Sequence, residues 1–539
     1  MAFVRPKALL RHASTSGGLA PPSVSADRVV PVHYWDHSYT NAVMNFMLRF
    51  DHRLDAGKLR CSLERLLERP DGWRKLGGRL KRNAAGRLDY HVPSRYTPHR
   101  PAVSYHHERY DDVRIMQHPL GSRIPRASSH YTSPRILARG EDFLPLMRRP
   151  EDPTCLEDYL RSDTPVLGLH VVTFRDATLV CLRGSHVLFD AMGRKAFLDA
   201  WALTLQGRDE EVAPLMERDP MATLGAQEPE RTQSCTLPIK PYKHADKQLG
   251  FRQFITLGLR QVVDRILNRN AVEEARVVCV PSAYIGRLRT KALRELEART
   301  KGDSAEKDPG SPAFVSAGDV LCAWWTRHLI ASRLRNARTS GQTVCIMNML
   351  GLRGYILQPG LVSAAEKKRA ILGNLLVAVP AFLRADKLLA KPLSEVAETL
   401  RSSIKELSTG PQVEALLKLQ RAAHDKKGSM PALFGDGGMH MVICTNWLKA
   451  GFFDVDFSAA VIPSPDKDDS KSGSPSAEVA KPTNVQMHMT TDSTPAFMMS
   501  IFTILGKDAC GNYWIRGTLR EEYWAKVEQS LLEEVLLDT

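Results

Sequence analysis

The chain has 539 residues and a net charge of +14, with 43% hydrophobic and 25% charged residues, fractions that are ordinary for globular proteins. This length exceeds what one hydrophobic core usually holds, so we expect about two domains. No apolar run reaches the ~18 residues of a membrane span. The nine cysteines contain no CxxC pair, so neither a disulfide framework nor a zinc or other metal site is indicated, and a cytoplasmic location with reduced thiols is favoured.

The positive charge favours polyanionic partners, either nucleic acid or a phosphorylated cofactor. No nucleic-acid recognition module accompanies it, so basic residues that only decorate the surface are the simpler interpretation. The first residues are basic and serine-bearing, with no acid before Asp27 and no long apolar segment of the kind found in secretory signals. We expect a flexible leader over residues 1–28, with a transit peptide as the alternative.

The folded part begins with a predicted strand over residues 41–50. Asp55 then caps a helix over residues 56–67, with leucines on one face. Two short strands are predicted over residues 73–80 and 86–92. Residues 93–157 are rich in Arg, Pro and His with little periodicity, which predicts loops or a lid.

Two apolar, β-branched segments over residues 167–174 and 178–182 predict a hairpin whose second strand delivers Ser185 and His186. After Gly193, apolar residues at helical spacing predict a helix that stops at Gly207.

His186 and Asp190 therefore lie between a strand and a helix, in the pattern HxxxD. Histidine is the side chain best suited to take a proton near neutral pH, so His186 is a candidate general base for activating a hydroxyl or an amine. Asp190 can turn back to brace the loop. A core histidine bonded to a carboxylate is an equally open interpretation. A second HxxxD pattern, His107 to Asp111, lies in a charged segment that we interpret as a solvated loop.

Residues 211–274 form a proline-rich connection with one amphipathic stretch from Phe251 to Leu267. The second half mixes predicted strands (276–281, 344–350, 439–444, 496–505, 512–518) with predicted helices (282–299, 320–333, 394–407, 520–537). Residues 464–482 are of low complexity, which predicts a disordered loop. The domains are thus expected at 29–210 and 275–539. The absence of GxGxxG, P-loop and GxSxG patterns argues against a dinucleotide enzyme, an NTPase and an α/β-hydrolase.

Short motifs in both halves of the chain are similar to those of a known protein family. The first is His186-Val-Leu-Phe-Asp190, and the second is Thr445-Asn-Trp447 followed by Asp456-Phe457-Ser458-Ala459-Ala460; weaker matches are 314–325, 348–353, 372–374 and 511–514. The chain resembles the BAHD acyltransferases, in particular the fungal branch of the trichothecene 3-O-acetyltransferase type, which acylates secondary metabolites. The family's Gly-Trp-Gly after the Asp-Phe pair is here Ser-Ala-Ala, a departure that is expected to alter acyl-donor affinity.

The resemblance implies an α/β fold of two similar domains, each with a central mixed sheet flanked by helices, as in chloramphenicol acetyltransferase, and a tunnel between them. It implies a monomeric enzyme that transfers an acyl group, by analogy acetyl, from acyl-coenzyme A to a hydroxyl of a small molecule. No permanently bound cofactor is implied, since the acyl-coenzyme A is a co-substrate.

The resemblance also implies residue roles. His186 removes the acceptor's proton, Trp447 or Thr445 donates a hydrogen bond to the tetrahedral oxyanion, and no acyl-enzyme forms. Asp190 is structural and is expected to pair with Arg353. Asp456 shapes the loop over coenzyme A, and the coenzyme contacts are expected at Ser316, Asp456 and Phe457.

Alternatives from other classes stay open at this point. They are a non-catalytic binding or scaffolding protein on the same fold, an N-acyltransferase, and a nucleic-acid or anionic-surface binder. A condensation-type domain is also considered, although Ser185 stands where the first of its two adjacent histidines would lie.

Overall fold

The computed structural model describes residues 26–40, 42–226, 240–302, 314–333, 340–358, 360–425, 432–463, 479–491 and 499–538. Most of the expected leader (1–28) and most of the expected disordered loop (464–482) lie outside these ranges. None of the helices in the described ranges combines the length and the apolar character needed to span a membrane.

Both halves contain strands and helices. The strands are β1 (Arg28–Pro31), β2 (Ala42–Phe50), β3 (Arg79–Arg82), β4 (Leu88–Val92), β5 (Ser104–Tyr110), β6 (Arg135–Arg139), β7 (Leu167–Phe174), β8 (Thr178–Ser185), β9 (Glu273–Val280), β10 (Thr343–Gly351), β11 (Leu376–Arg384), β12 (His440–Asn446), β13 (Asn484–Thr491), β14 (Met499–Lys507) and β15 (Tyr513–Arg520). The helices are α1 (Ala56–Glu68), α2 (Leu144–Met147), α3 (Leu156–Leu160), α4 (Ala191–Leu205), α5 (Phe251–Leu267), α6 (Ser282–Gly302), α7 (Ala317–Arg333), α8 (Arg353–Ile356), α9 (Ala385–Ala390), α10 (Leu393–Leu407), α11 (Gly410–Asp425) and α12 (Glu521–Asp538).

Two mixed sheets form the centre of the molecule. The first has five strands in the order β13-β2-β8-β7-β5, and the second has seven in the order β11-β10-β12-β14-β15-β9-β6. The first contains one parallel pair, β5 with β7, and the second contains the parallel run β10-β12-β14. A small antiparallel sheet, β1-β4-β3, lies beside them. The predicted α/β class with two mixed sheets is confirmed.

The two sheets exchange strands. β13 comes from the C-terminal half and pairs antiparallel with β2, whereas β6 comes from the N-terminal half and pairs with β9. The expected segments 29–210 and 275–539 therefore each contribute a strand to the other's sheet. This exchange fixes the relative position of the halves, because the sheets cannot part without breaking ladder hydrogen bonds.

The hairpin β7–β8 lies inside the first sheet and is buried along its whole length. Strands covered on both faces are apolar throughout, which explains the near-continuous apolar segments in the sequence. α1 and α4 pack on this sheet, and the predicted cap of α1 is present, since Asp55 accepts a hydrogen bond from the backbone N–H of Lys58 (3.0 Å).

Three sequence predictions are wrong in detail. The loops or lid expected over 93–157 contain β5 and β6. The second HxxxD pattern lies on β5 instead of a solvated loop, and its polar side chains are tolerated because β5 is an edge strand; His107 Nε2 lies 3.0 Å from Thr173 Oγ1. Residues Trp73–Gly77 form a 3-10 helix rather than a strand, because Gly72 turns the chain at φ 102° immediately before them.

Candidate active site

His186 immediately follows the last residue of β8, the central strand of the first sheet. Its backbone is held from both sides: its N–H donates to Ala42 O (2.8 Å), and its carbonyl accepts from Asn374 Nδ2 (2.9 Å). The ring is half-buried, with Nδ1 enclosed and lacking a hydrogen-bond partner among the described residues. The sequence prediction that the strand delivers Ser185 and His186 is therefore confirmed.

An aromatic ring fixes the plane of the imidazole. Tyr39, at the end of the 3-10 helix Tyr34–Tyr39, stacks on His186 with the ring centroids 4.9 Å apart and an angle of 20° between the planes. Burial, followed by the charges of Asp190 and Asp36, raises the pKa of the Tyr39 hydroxyl, so it stays protonated at neutral pH. The stacked ring restricts the imidazole to one orientation.

Burial lowers the pKa of His186 below its ordinary value, and the charge of Arg194 lowers it further. Its own backbone carbonyl and Asp190 oppose that fall. A lowered pKa means that the ring is neutral at pH 7, and only the neutral ring can accept a proton. The electrostatics therefore favour the base form of His186.

Arg194 was not predicted from the sequence. It is buried on α4 between the rings of Phe46 and Phe189, whose centroids each lie 4.8 Å from its guanidinium carbon. Burial lowers its pKa to about 9, which still leaves it charged at pH 7. A guanidinium over aromatic faces is partly compensated by their negative π surfaces, so a cation persists near the imidazole.

Asp190 does not face the imidazole as a relay. It is the N-cap of α4, where its Oδ1 accepts from Gly193 N (2.8 Å). Its Oδ2 accepts from Arg353 Nη1 (2.8 Å) and from Leu375 N (3.1 Å). The predicted Asp190–Arg353 pair is confirmed as a contact, and it joins the two halves of the chain because Arg353 and Leu375 belong to the second.

Gly373 makes a close approach that no other residue could make without strain. Its φ is +81°, and a Cβ there would lie 3.2 Å from a carboxylate oxygen of Asp36. The carboxylate of Asp36 is buried and accepts from both the backbone N–H (2.7 Å) and the side chain (2.9 Å) of Asn374. Asp36 thus positions the amide that holds His186, and burial raises the pKa of Asp36 to about 7.

The two predicted oxyanion donors contact each other. Trp447 follows β12 and donates from Nε1 to Thr445 Oγ1 (3.0 Å), while its indole packs edge-on against Phe452. The indole N–H is thereby used, and it leaves the half-buried hydroxyl of Thr445 with its own proton to donate. The oxyanion role of both residues stays a prediction.

Two of the predicted coenzyme contacts, Phe457 and Asp456, lie in different surroundings. Phe457 is completely buried between Phe50, on which it stacks, and Trp201. Because its ring is enclosed, it cannot contact a ligand, and the predicted coenzyme contact of Phe457 is wrong. The sequence of an Asp-Phe pair does not show whether the Phe ring packs into the core or faces solvent. Asp456 accepts from the backbone N–H of Ser458 (2.9 Å), and its role in shaping the loop over coenzyme A stays a prediction.

Ser316 caps α7. Its hydroxyl donates to Asp319 Oδ2 (2.7 Å) and accepts from Arg401 Nη2 (2.8 Å). A Cβ on Gly318 would lie 2.9 Å from Asn446 Nδ2, so this helix start lies beside the end of β12 that carries Thr445. The coenzyme contact of Ser316 stays a prediction.

A cavity of about 270 Å³ opens beside the segment that precedes Gly373, and His33, Lys75, Glu217 and Leu372 are among its lining residues. His186 is not one of them. We therefore do not assign this cavity to the reaction, and the expected tunnel stays a prediction. Within the described ranges, no three His, Cys, Asp or Glu side chains are grouped to hold a metal ion.

Comparison with known proteins identifies the class. Residues 153–461 match the model of the Transferase family. The chain is 37% identical over 530 residues to acetyltransferase sphE of Aspergillus fumigatus, covering 96% of this chain and 97% of that one. It is 35% identical over 515 residues to acetyltransferase adrJ of Penicillium rubens (95% and 97%). It is also 38% identical over 524 residues to a protein named transcriptional regulator calD of Penicillium decumbens (96% and 98%).

Solved structures show the same fold. F. sporotrichioides TRI101, in complex with coenzyme A and T-2, aligns with a TM-score of 0.58 at 15% identity over 93% of this chain and 96% of that one. Vinorine synthase aligns with a TM-score of 0.51 at 14% identity over 95% of each chain. The family model and the acetyltransferase relatives define the class of this protein as an acyltransferase. The chain belongs to the Transferase family, whose members are the BAHD acyltransferases.

Proposed function

We propose that this protein transfers an acetyl group from acetyl-coenzyme A to a hydroxyl group of a small-molecule secondary metabolite, with His186 as the general base. One observation carries this proposal: the half-buried His186 is held at the end of β8, because Tyr39 stacks on its ring and Ala42 and Asn374 hydrogen-bond to its backbone. The names of sphE and adrJ support the acetyl group.

In the proposed reaction the acceptor hydroxyl gives its proton to His186, and its oxygen attacks the thioester carbonyl carbon. Because Nδ1 is enclosed, Nε2 is the nitrogen that takes the proton. The carbonyl oxygen becomes an oxyanion, which the hydroxyl of Thr445 stabilises. The carbon–sulfur bond then breaks, and the departing thiolate of coenzyme A recovers the proton from His186.

Asp190 and Arg353 take no part in these proton transfers. Their pair fixes the start of α4 and the segment around Gly373, and through Asn374 it fixes the backbone of His186. No acyl-enzyme is needed, because a thioester is already activated towards an alcohol.

The test uses the purified full chain, deuterated acetyl-coenzyme A and an organic extract of the source strain from which this gene has been deleted. Mass spectrometry is expected to show one product that carries the label, with coenzyme A released in equal amount. His186→Ala should lower the rate by at least about a hundredfold, as loss of a general base does. The matched control is His107→Ala in the second HxxxD pattern, which should retain the rate.

A labelled product with an amide instead of an ester would replace O-acylation with N-acylation. Full activity of His186→Ala would remove the general-base role.

The second candidate is a regulatory protein without catalysis, which the names of two relatives favour: calD, and transcriptional regulator sdnM of Sordaria araneosa (30% identical over 516 residues). Re-introducing His186→Ala into the deletion strain separates the two. If the protein acts by catalysis, the His186→Ala strain should make no acetylated product. Any change that the deletion causes in the transcripts of neighbouring genes should then persist in this strain. Restored transcripts without any product would favour the regulator.

A further inference from the structure

Helix α5 exposes its apolar face. Seven large apolar side chains on it are between 44% and 76% exposed: Phe251, Ile255, Leu259, Val262, Val263, Ile266 and Leu267. At 100° per residue they fall within one arc of about 160° on the helix. Isolated surface apolar residues are normal, but a continuous helical stripe indicates a surface that contacts something else.

The opposite face of α5 holds the helix on the molecule through polar contacts. Asp264 is buried and forms an ion pair with Arg520, the last residue of β15, and the guanidinium of Arg260 donates to the carbonyl of Gly438. Leu257 is the buried apolar side chain on that side. A surface helix ordinarily turns its apolar stripe to the core, so the orientation of α5 is reversed and is fixed by these contacts.

The charges around the stripe have one sign. Arg252, Arg265 and Arg269 are exposed on or directly after α5. Asp264, the single acid between Lys247 and Glu273 in the sequence, is buried against Arg520. The exposed surface of α5 therefore combines apolar side chains with cations and presents no carboxylate.

A shallow cavity of about 400 Å³ borders the stripe and is lined by Leu259, Val263 and Leu267 on one side and by Thr256, Arg260 and Asp264 on the other. Its apolar wall offers room for a hydrocarbon chain beside the helix.

We propose that α5 docks on an anionic lipid bilayer and lies in the plane of its surface. An amphipathic helix with a cationic rim binds such a surface by sinking its apolar side chains into the headgroup boundary while its arginines meet the lipid charges. A second copy of the chain fits less well, because it would bring two arginine-rimmed faces together. The N-terminal residues before Asp27 fit less well for the same reason, since they contain arginine and lysine but no acid.

The full chain is tested by co-sedimentation with vesicles of phosphatidylcholine alone or mixed with phosphatidylserine. We expect binding to the mixed vesicles that is at least about tenfold tighter than to phosphatidylcholine, and that weakens as salt screens the arginines. The triple variant Leu259→Gln, Val263→Gln, Leu267→Gln should bind at least about tenfold less. The control variant replaces three exposed apolar residues elsewhere, Val29→Gln, Met116→Gln and Leu532→Gln, and should bind like the wild type.

Thermal unfolding of both triple variants checks that the fold is kept, because every replaced side chain is exposed. Analytical ultracentrifugation without lipid tests whether a second copy of the chain binds to the stripe instead. If the wild type is a dimer and the α5 variant a monomer, the stripe is a self-association face and the proposal fails. It also fails if the wild type does not bind vesicles, or if the α5 variant and the control variant bind equally.

Discussion

Arg353 reaches from the second half of the chain to Asp190 in the first, and its Nη1 lies 2.8 Å from the Asp190 carboxylate. The same carboxylate caps α4 through the backbone N–H of Gly193 (2.8 Å). One acidic side chain therefore fixes both the start of a helix and the junction of the halves, directly after the loop that carries His186.

Replacing Asp190 with Asn should cost about 2 kcal/mol of unfolding free energy, because the half-buried guanidinium of Arg353 then loses its charge partner. Asparagine caps helices as well as aspartate does, so the cap is kept. The control is Asp55→Asn at the cap of α1, which has no such ion pair and should change stability little. Urea unfolding measures both; an Asp190→Asn protein that is inactive yet as stable as the wild type would contradict the bracing role.

Arg194 lowers the pKa of His186, and removing its charge should raise that pKa. The reaction needs the neutral imidazole, so kcat/KM rises with pH through this pKa and levels off above it. In Arg194→Met the rising limb should move to higher pH. A pH profile of kcat/KM measures the shift, with Arg516→Met, a buried arginine in β15, as the control. A limb that stays in place or moves to lower pH would exclude this electrostatic role.

Thr445 and Trp447 can be separated because one hydrogen bond joins them. Thr445→Val removes the proposed oxyanion donor and should lower kcat about a hundredfold. Trp447→Phe removes the indole N–H that holds Thr445 and part of the ring that packs on Phe452, but it keeps the Thr445 hydroxyl, so its kcat should fall about tenfold or less. Thr399→Val on α10 is the control, since within the described part of the chain that hydroxyl bonds to the carbonyl of Glu395 in its own helix. If Trp447→Phe loses more activity than Thr445→Val, the indole is the donor.

Gly373→Ala should lower the unfolding free energy by about 2 kcal/mol, because it adds contact with the Asp36 carboxylate to the strain of a left-handed φ. Gly86→Ala is the matched control: its φ is +77°, and no atom lies within 4 Å of the Cβ it would gain. Chemical denaturation of both variants isolates the contact. Equal losses would mean that backbone strain alone requires glycine at position 373.

Periodicity predicted the local elements near the site well. The β7–β8 hairpin, the helix after Asp190 and the amphipathic stretch from Phe251 to Leu267 all appear with nearly the predicted bounds. Periodicity could not show that α5 turns its stripe outward, because the same spacing fits a buried and an exposed face. It also missed β13, which forms by pairing with β2, a strand more than 400 residues away in the sequence.

The sequence by itself determined where a base could be found: a polar HxxxD segment between an apolar strand and a helix, together with motifs in the second half that resemble one family. Only the tertiary structure brought Tyr39, Asn374 and Arg194 to His186, and only it turned Phe457 into the core. The reason is physical. The spacing of apolar residues along the chain sets which face of a helix or strand is apolar. The neighbours of a side chain are set by strand pairing and packing between distant segments, and no local sequence pattern encodes these.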